Sequence, residues 1–277
     1  MIRALPAPLT IRWRPLFVVG WLAVNVALLF WPVTIVLLVM PHGWMIWVEA
    51  PARLLDGRLY DMQPGYLYYY APAFAALFAP FIPLGYSFWL GLHLAVVPLL
   101  RDVRLIALMA LSIPFWMDTI EGGLVIFVVV SGLLAIRGSR IGAIAYLALS
   151  LLMPRPLQLP LVVWLVWRRP DLRWPFALMT TVLVATTVAS GYTITWISEL
   201  LGLSGTHHSM VANLGPTRLL GPAWLLIGGP LAVWLTTRGR VGLAGLAITP
   251  YLAPEYLLLL LWEYIQLPGH RPLDAPD

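Results

Sequence analysis

LFVVGWLAVNVALLFWPVTIVLLVM, residues 16–40, runs for 25 residues without a charge. The hydrocarbon core of a bilayer takes about 20 apolar residues of helix, so this run suits one spanning helix. It is longer than the roughly 7–15-residue apolar core of a cleaved signal, which makes it a signal anchor. Arg3, Arg12 and Arg14 precede it and favour a cytoplasmic N-terminus, residues 1–15.

The rest of the chain agrees with that reading. Of 277 residues, 61% are hydrophobic and 10% charged, against about 45–50% and roughly 25% in soluble domains. A water-soluble enzyme, a disordered tail and a coiled coil are therefore excluded. The net charge is +5, and all 17 basic residues are arginine. In an apolar chain that excess reads as basic inner loops and not as a nucleic-acid surface. Without lysine there is no Schiff-base chemistry. Without cysteine there is no disulfide, thiolate or cysteine-ligated metal.

Residues 41–70 form a polar outer loop in which Trp44, Trp47, Val48, Leu54 and Leu55 recur at helical spacing. This pattern predicts an amphipathic helix in the membrane interface. From residue 71 to 265 apolar runs alternate with arginine pairs, with a short tail at 266–277. Arg101, Arg104, Arg137, Arg140, Arg168, Arg169, Arg173, Arg238 and Arg240, with the N-terminal three, place 12 of 17 arginines on one side. Pro80, Pro83 and Gly85 break one run into two short pieces, and 141–153 and 157–167 are too short to cross fully. Broken helices at membrane depth are tolerated where they line protein or a wet cavity. The expected fold is one all-α, multi-pass domain in the cell membrane, with about 8–10 membrane segments around a cavity open to the outer side.

Ionisable groups at membrane depth are the natural functional candidates. In the outer loop these are Glu49 and Asp61, followed by Tyr60, Tyr66, Tyr68, Tyr69 and Tyr70; the alternative is an interfacial aromatic belt. Asp118 and Glu121, one helical turn apart, could act as acid and base or hold a divalent cation, or form only a polar connection. Arg155, set between Pro154 and Pro156, suits a phosphate group, or it snorkels to headgroups. Glu199, His207, His208, Ser209, Asn213 and Arg218 share a later loop that could fold over a substrate; adjacent histidines make a poor zinc pair. Glu255 lies in a final apolar run with Glu263 nearby. No phosphate-binding loop, dinucleotide fingerprint or serine elbow is present.

Taken in order, these islands resemble the bacterial polyprenyl-phosphate-mannose-dependent mannosyltransferases of the GT-C type. That family carries a first-loop motif A-x(6)-G-x-x-Y-D followed by an aromatic, a tyrosine and a proline. Ala50, Gly57, Tyr60, Asp61, Tyr70 and Pro72 fit it here. A G-Q-x-N stretch is matched loosely by Gly122-Gly123-Leu124-Val125, and K-P-x-P by Met153-Pro154-Arg155-Pro156. A late S-P-Y motif is similar to Thr249-Pro250-Tyr251 with Glu255. The resemblance covers roughly residues 16–265. It departs at three places: the family's base, an aspartate near the start of the first outer loop, falls near Gly43. The family glutamine is Gly123, and the motif lysine is Met153.

The resemblance implies transfer of a sugar, mannose or similar, from a polyprenyl-phosphate donor to an acceptor on the outer face. Glu49 or Asp61 would be the base, with Asp118 a further substitute. Arg155 and Arg218 would hold phosphate. Tyr60, Tyr70, Asp118, Glu121, His207, His208 and Glu255 would contact substrates. No cofactor is required, though the carboxylates would accommodate a divalent cation. The partners on this reading are the bilayer and the lipid-linked donor. The competing reading is a catalytically inactive scaffold of the same type, serving as an accessory or assembly subunit of a membrane complex. A transporter comes third, since no internal repeat stands out.

Overall fold

The computed structural model describes residues 13–31, 42–61, 68–206 and 213–266, and every regular element among them is helical. Helix α1 spans Trp13–Leu29 and ends short of Pro32, with the Trp31 N–H turned back onto Leu28 O. It therefore covers the first part of the 16–40 run; residues 32–41 lie outside the described set. Helix α2, His42–Leu55, forms where the outer-loop pattern predicts a helix, and it buries Gly43, Ile46, Trp47 and Ala50. That i, i+3, i+4, i+7 spacing is one helical face.

Next come α3 (Pro72–Phe78), a 3-10 stretch over Ala79–Leu84, and α4 (Gly85–Val96). Pro80 and Pro83 remove amide donors and tighten the winding there, but they do not turn the chain back. Pro72–Leu100 is one helical stretch long and apolar enough to cross a membrane, as is Pro170–Ala189. The expected two short pieces thus run on as one path.

Helices α5 (Val103–Ala110) and α6 (Ile113–Glu121) meet at 71° and together could make a third, bent span. Asp102 caps α5 by accepting from Arg104 and Leu105 N–H, and Ser112 caps α6 by accepting from Phe115 N–H. Pro114 suits the first turn after the cap. Helix α1 is fastened to this bend: Asn25 Oδ1 accepts from Ile113 N–H at 2.6 Å, and Trp21 Nε1 donates to Leu108 O at 3.0 Å.

The centre is α7, Val125–Ile136, which is buried along nearly its whole length. A helix that is apolar all round belongs in a core. It packs against α8 (Arg140–Leu152) and against the C-terminal segments. Its Gly132 lies against the Trp262 ring, where a Cβ would collide, and Trp262 Nε1 donates to Val129 O at 3.0 Å. Outside it lie α9 (Leu159–Arg168), α10 (Arg173–Ala189), α11 (Thr193–Thr206), α12 (Thr217–Leu220), α13 (Leu225–Thr237), α14 (Val241–Ile248) and α15 (Leu260–Gln266).

Small residues bring α14 close to its neighbours. A Cβ on Gly242 would strike Leu259 O, and one on Gly245 would strike Leu157 O. Approach this close requires glycine, since any Cβ would meet a backbone carbonyl. Glu263 closes the start of α14, accepting from Gly242 and Leu243 N–H at 3.0 Å each and pairing with Arg240 at 3.3 Å.

Candidate functional site

The residues of the proline-flanked arginine turn converge with three distant segments. Helix α8 stops where the Met153 N–H reaches Leu149 O, and two prolines prevent its continuation past Arg155. Ala71 N–H donates to Leu152 O at 3.0 Å, which pins the tyrosine segment to the same corner. Tyr70 is fixed further by Tyr60, whose hydroxyl donates to Tyr70 O at 2.6 Å, and by the Trp47 ring at 4.7 Å.

Arg155 therefore lies between two aromatic rings, its guanidinium carbon 5.5 Å from the Tyr70 centroid and 5.3 Å from that of Tyr256. One terminal nitrogen donates to the Tyr70 hydroxyl. Among the described residues no carboxylate comes within ion-pair distance of it. Glu121, Glu255, Asp118 and Tyr251 nevertheless act electrostatically on Arg155 or on the rings around it. A partly buried guanidinium with most of its five N–H donors uncommitted has room for an oxyanion.

The carboxylates divide by what they already hold. Asp118 is buried, and its two oxygens accept from Val125 N–H at 3.1 Å and Ile126 N–H at 2.8 Å, closing the start of α7. Gly123 must be glycine here, because a Cβ would strike Asp118 Oδ1. Gly122, in the left-handed region at φ 75°, ends α6. Its carbonyl accepts from Trp47 Nε1 at 2.7 Å and Trp89 Nε1 at 3.0 Å. Among the described residues neither Glu121 nor Glu255 holds a helix start or an arginine, and the charge of Glu121 is felt at Glu255.

Glu49 and Asp61 are elsewhere. Glu49 pairs with Arg53 at 2.9 Å, one turn along α2, and Asp61 is exposed. Arg53 also donates to Asp61 O at 3.4 Å. Tyr60 is buried and spends its hydroxyl on the Tyr70 backbone. Arg218 is exposed on α12. His207 and His208 lie outside the described residues. Asn213, just after them, is buried and stitches two loops together, accepting from Gly215 N–H at 2.8 Å and Leu252 N–H at 3.0 Å. Glu199 faces Tyr69, whose phenol is pushed up to about 12, first by burial and then by that carboxylate.

Gly43 presses on the Glu121–Gly122 turn: a Cβ would lie 3.0 Å from Glu121 O and 3.3 Å from Gly122 O. A larger side chain would have to displace backbone. The glycine is thus explained by packing between α2 and the end of α6.

An apolar groove of about 570 Å³ begins beside this corner, between α3, α8 and α10. Leu54, Pro72 and Leu152 line its near end, and Leu178, Val182 and Leu183 its wall. Arg155, Tyr70 and Tyr256 do not line this groove; Leu152 and Pro72, which do, lie within three residues of Arg155 and Tyr70 in the chain. Among the described residues, no three His, Asp or Glu side chains gather closely enough to hold a metal ion.

Sequence reasoning missed Tyr256 and His93. Tyr256 had only its adjacency to Glu255 as a signal. His93 is buried in α4, with ring nitrogens 2.8 Å from Trp89 O and from Gly123 O. Its signal was that it is an ionisable side chain within the apolar run 72–100. Comparison of the chain with protein-family models, with curated proteins and with solved structures finds no match.

Proposed function

We propose that the chain is a multi-pass membrane glycosyltransferase that moves a sugar, mannose or similar, from a polyprenyl-phosphate donor to an acceptor hydroxyl on the outer face. The observation that carries this reading is Arg155: a cation without an ion-pair partner among the described residues, held by two tyrosines, with the charges of Glu121 and Glu255 acting on it or on its surroundings. In the reaction the acceptor oxygen attacks the sugar's anomeric carbon while the bond to the phosphate oxygen breaks. The acceptor proton goes to a carboxylate, and the leaving phosphate keeps the bond's electron pair beside Arg155.

Glu121 and Glu255 are the groups we assign to that proton, because Asp118 is occupied by α7 and Glu49 by Arg53. Tyr70, Tyr251 and Tyr256 give the sugar an aromatic and hydroxyl surface. The chemistry asks for no cofactor; a divalent cation at the carboxylates is tested by adding a chelator to the same assay. The second reading, an inactive scaffold within a membrane complex, is favoured by one observation, Gly43 in place of an aspartate.

The test is transfer of radiolabelled mannose from polyprenyl-phosphate-mannose by the purified protein in nanodiscs. Glu121→Gln, Glu255→Gln and Arg155→Ala should each be compared with Glu49→Gln and Asp61→Asn. Loss of turnover with Arg155→Ala and with one of the two glutamines identifies phosphate holder and base. Turnover lost only in Glu49→Gln or Asp61→Asn would move the base back to the outer loop. No turnover from any polyprenyl-phosphate sugar, with partner proteins co-purifying, would favour the scaffold.

A further inference from the structure

A second groove lies where α9 ends and α10 begins. It has a volume of about 360 Å³ and is lined by Val162, Val163, Val166, Trp167 and Phe176, with Arg173 completing the wall. Arg173 is parked across the last carbonyls of α9, donating to Val166 O at 3.1 Å and Trp167 O at 3.5 Å. Arg168 stacks over the Trp167 ring at 5.5 Å.

Neither Arg168 nor Arg173 has an ion-pair partner among the described residues, whereas Arg169 between them is neutralised by Asp171 at 2.9 Å. Trp167 and Trp174 are 58% and 76% exposed. Arg173 and the exposed Trp167 thus border an apolar slot, with Arg168 stacked on that indole and the exposed Trp174 next to Arg173 in the chain. They do so at the end of Pro170–Ala189, one of the stretches long and apolar enough to cross a membrane. Indoles and arginines gather where hydrocarbon meets headgroups, and basic pockets between membrane helices select acidic lipids.

We propose that this slot binds one anionic phospholipid, with an acyl chain along Val162, Val163, Val166 and Phe176 and the phosphate between Arg168 and Arg173. The charge argument commits the occupant: a zwitterionic lipid fills the slot equally well but leaves the net positive charge uncompensated. This inference is independent of the reading of the Arg155 site.

Native mass spectrometry of delipidated protein in detergent, offered phosphatidylglycerol and phosphatidylcholine at equal concentration, tests it. The expected result is one retained phosphatidylglycerol, preferred by roughly tenfold or more given two cations at the headgroup. Arg168→Gln/Arg173→Gln should abolish the preference. Val163→Trp, which fills the slot, should lower retention itself, and Arg101→Gln/Arg104→Gln should change neither. Inorganic phosphate in the millimolar range should not compete. Equal retention of the two lipids would overturn the proposal, as would equal loss in the Arg101/Arg104 control or displacement by inorganic phosphate. Unchanged helical circular dichroism of each variant keeps misfolding out of the comparison.

Discussion

Two arginines stand at the two ends of α7 and are treated differently by the fold. Arg137, just past its C-terminus, has a side chain only 4% exposed and both terminal nitrogens engaged. One donates to Leu100 O at 2.6 Å and the other to Asp102 at 2.7 Å. Arg155, near the N-terminal end through Asp118, gives one terminal nitrogen to a phenol and has no carboxylate at ion-pair distance among the described residues. Asp118 and Glu263 repeat the first pattern, since each is spent on a helix start, and Glu121 and Glu255 the second. A buried cation paired with a carboxylate is a strut, even though Arg137 Nε finds no hydrogen-bond partner among the described residues. One without a carboxylate is tolerated where something else supplies the charge, as a ligand would.

The largest effect should fall on the strut. Arg137→Met leaves Asp102 without its partner and should cost about 3–5 kcal/mol, the usual penalty for breaking a buried pair from one side. It is read as a large drop in thermal midpoint in detergent. Arg155→Ala should leave that midpoint nearly unchanged, yet cut sugar transfer by roughly 10²–10³, as for removal of one oxyanion donor. If both variants unfold alike, the contrast between strut and site is lost.

Gly43→Asp, which puts a carboxylate where the resemblance to the mannosyltransferases would place one, should destabilise by about 1–3 kcal/mol through overpacking against the Glu121 and Gly122 carbonyls, checked by the same melts. If it instead melts normally and raises turnover, the outer-loop helix has room for a base and the assignment to Glu121 and Glu255 weakens.

Asp102 supplies a pH test. Burial alone would raise its pKa, but the Leu105 N–H, Arg137 and the Arg104 N–H together outweigh burial and hold the carboxyl below the usual range. Its folded value therefore lies below its unfolded one, so its contribution is complete above about pH 4 and fades as pH falls through the folded value. The midpoint difference between wild type and Asp102→Asn should be constant near neutrality and shrink in acid. A difference that persists unchanged below pH 3 would mean that capping geometry, and not charge, is what Asp102 supplies. Smallest of all, Glu49→Gln should alter stability by less than about 0.5 kcal/mol, as exposed i, i+4 pairs do.

The sequence carried the local features well. The helix at 42–55 was legible from Trp44, Trp47, Val48, Leu54 and Leu55, yet the face it buries, Gly43, Ile46, Trp47 and Ala50, shares only Trp47 with that set and leaves Leu55 exposed; Pro80 with Pro83 marked an irregular stretch. What they could not show is that this stretch continues the same path, since proline announces an irregularity but not its angle. The islands of the candidate site were visible one by one, whereas their convergence was not: Tyr70 and Arg155 are 85 positions apart, and Trp262 reaches Val129 across 133. No periodicity encodes such contacts. Asp118 and Glu121 looked alike as a carboxylate pair, and only the fold separates the one that holds α7 from the one that is free. The Glu49–Arg53 spacing was readable as an i, i+4 pair and is one.

The most direct test of the central claim is binding of a polyprenyl phosphate to the protein in nanodiscs, comparing wild type with Arg155→Ala and Arg155→Lys. If Arg155 holds the lipid's phosphate, Arg155→Ala should lose about 1.5–3 kcal/mol of affinity, the worth of a charged hydrogen bond, with Arg155→Lys between the two because it keeps charge but not the planar fork. Equal affinity in all three, with the fold intact, would contradict the claim and leave Arg155 a structural residue.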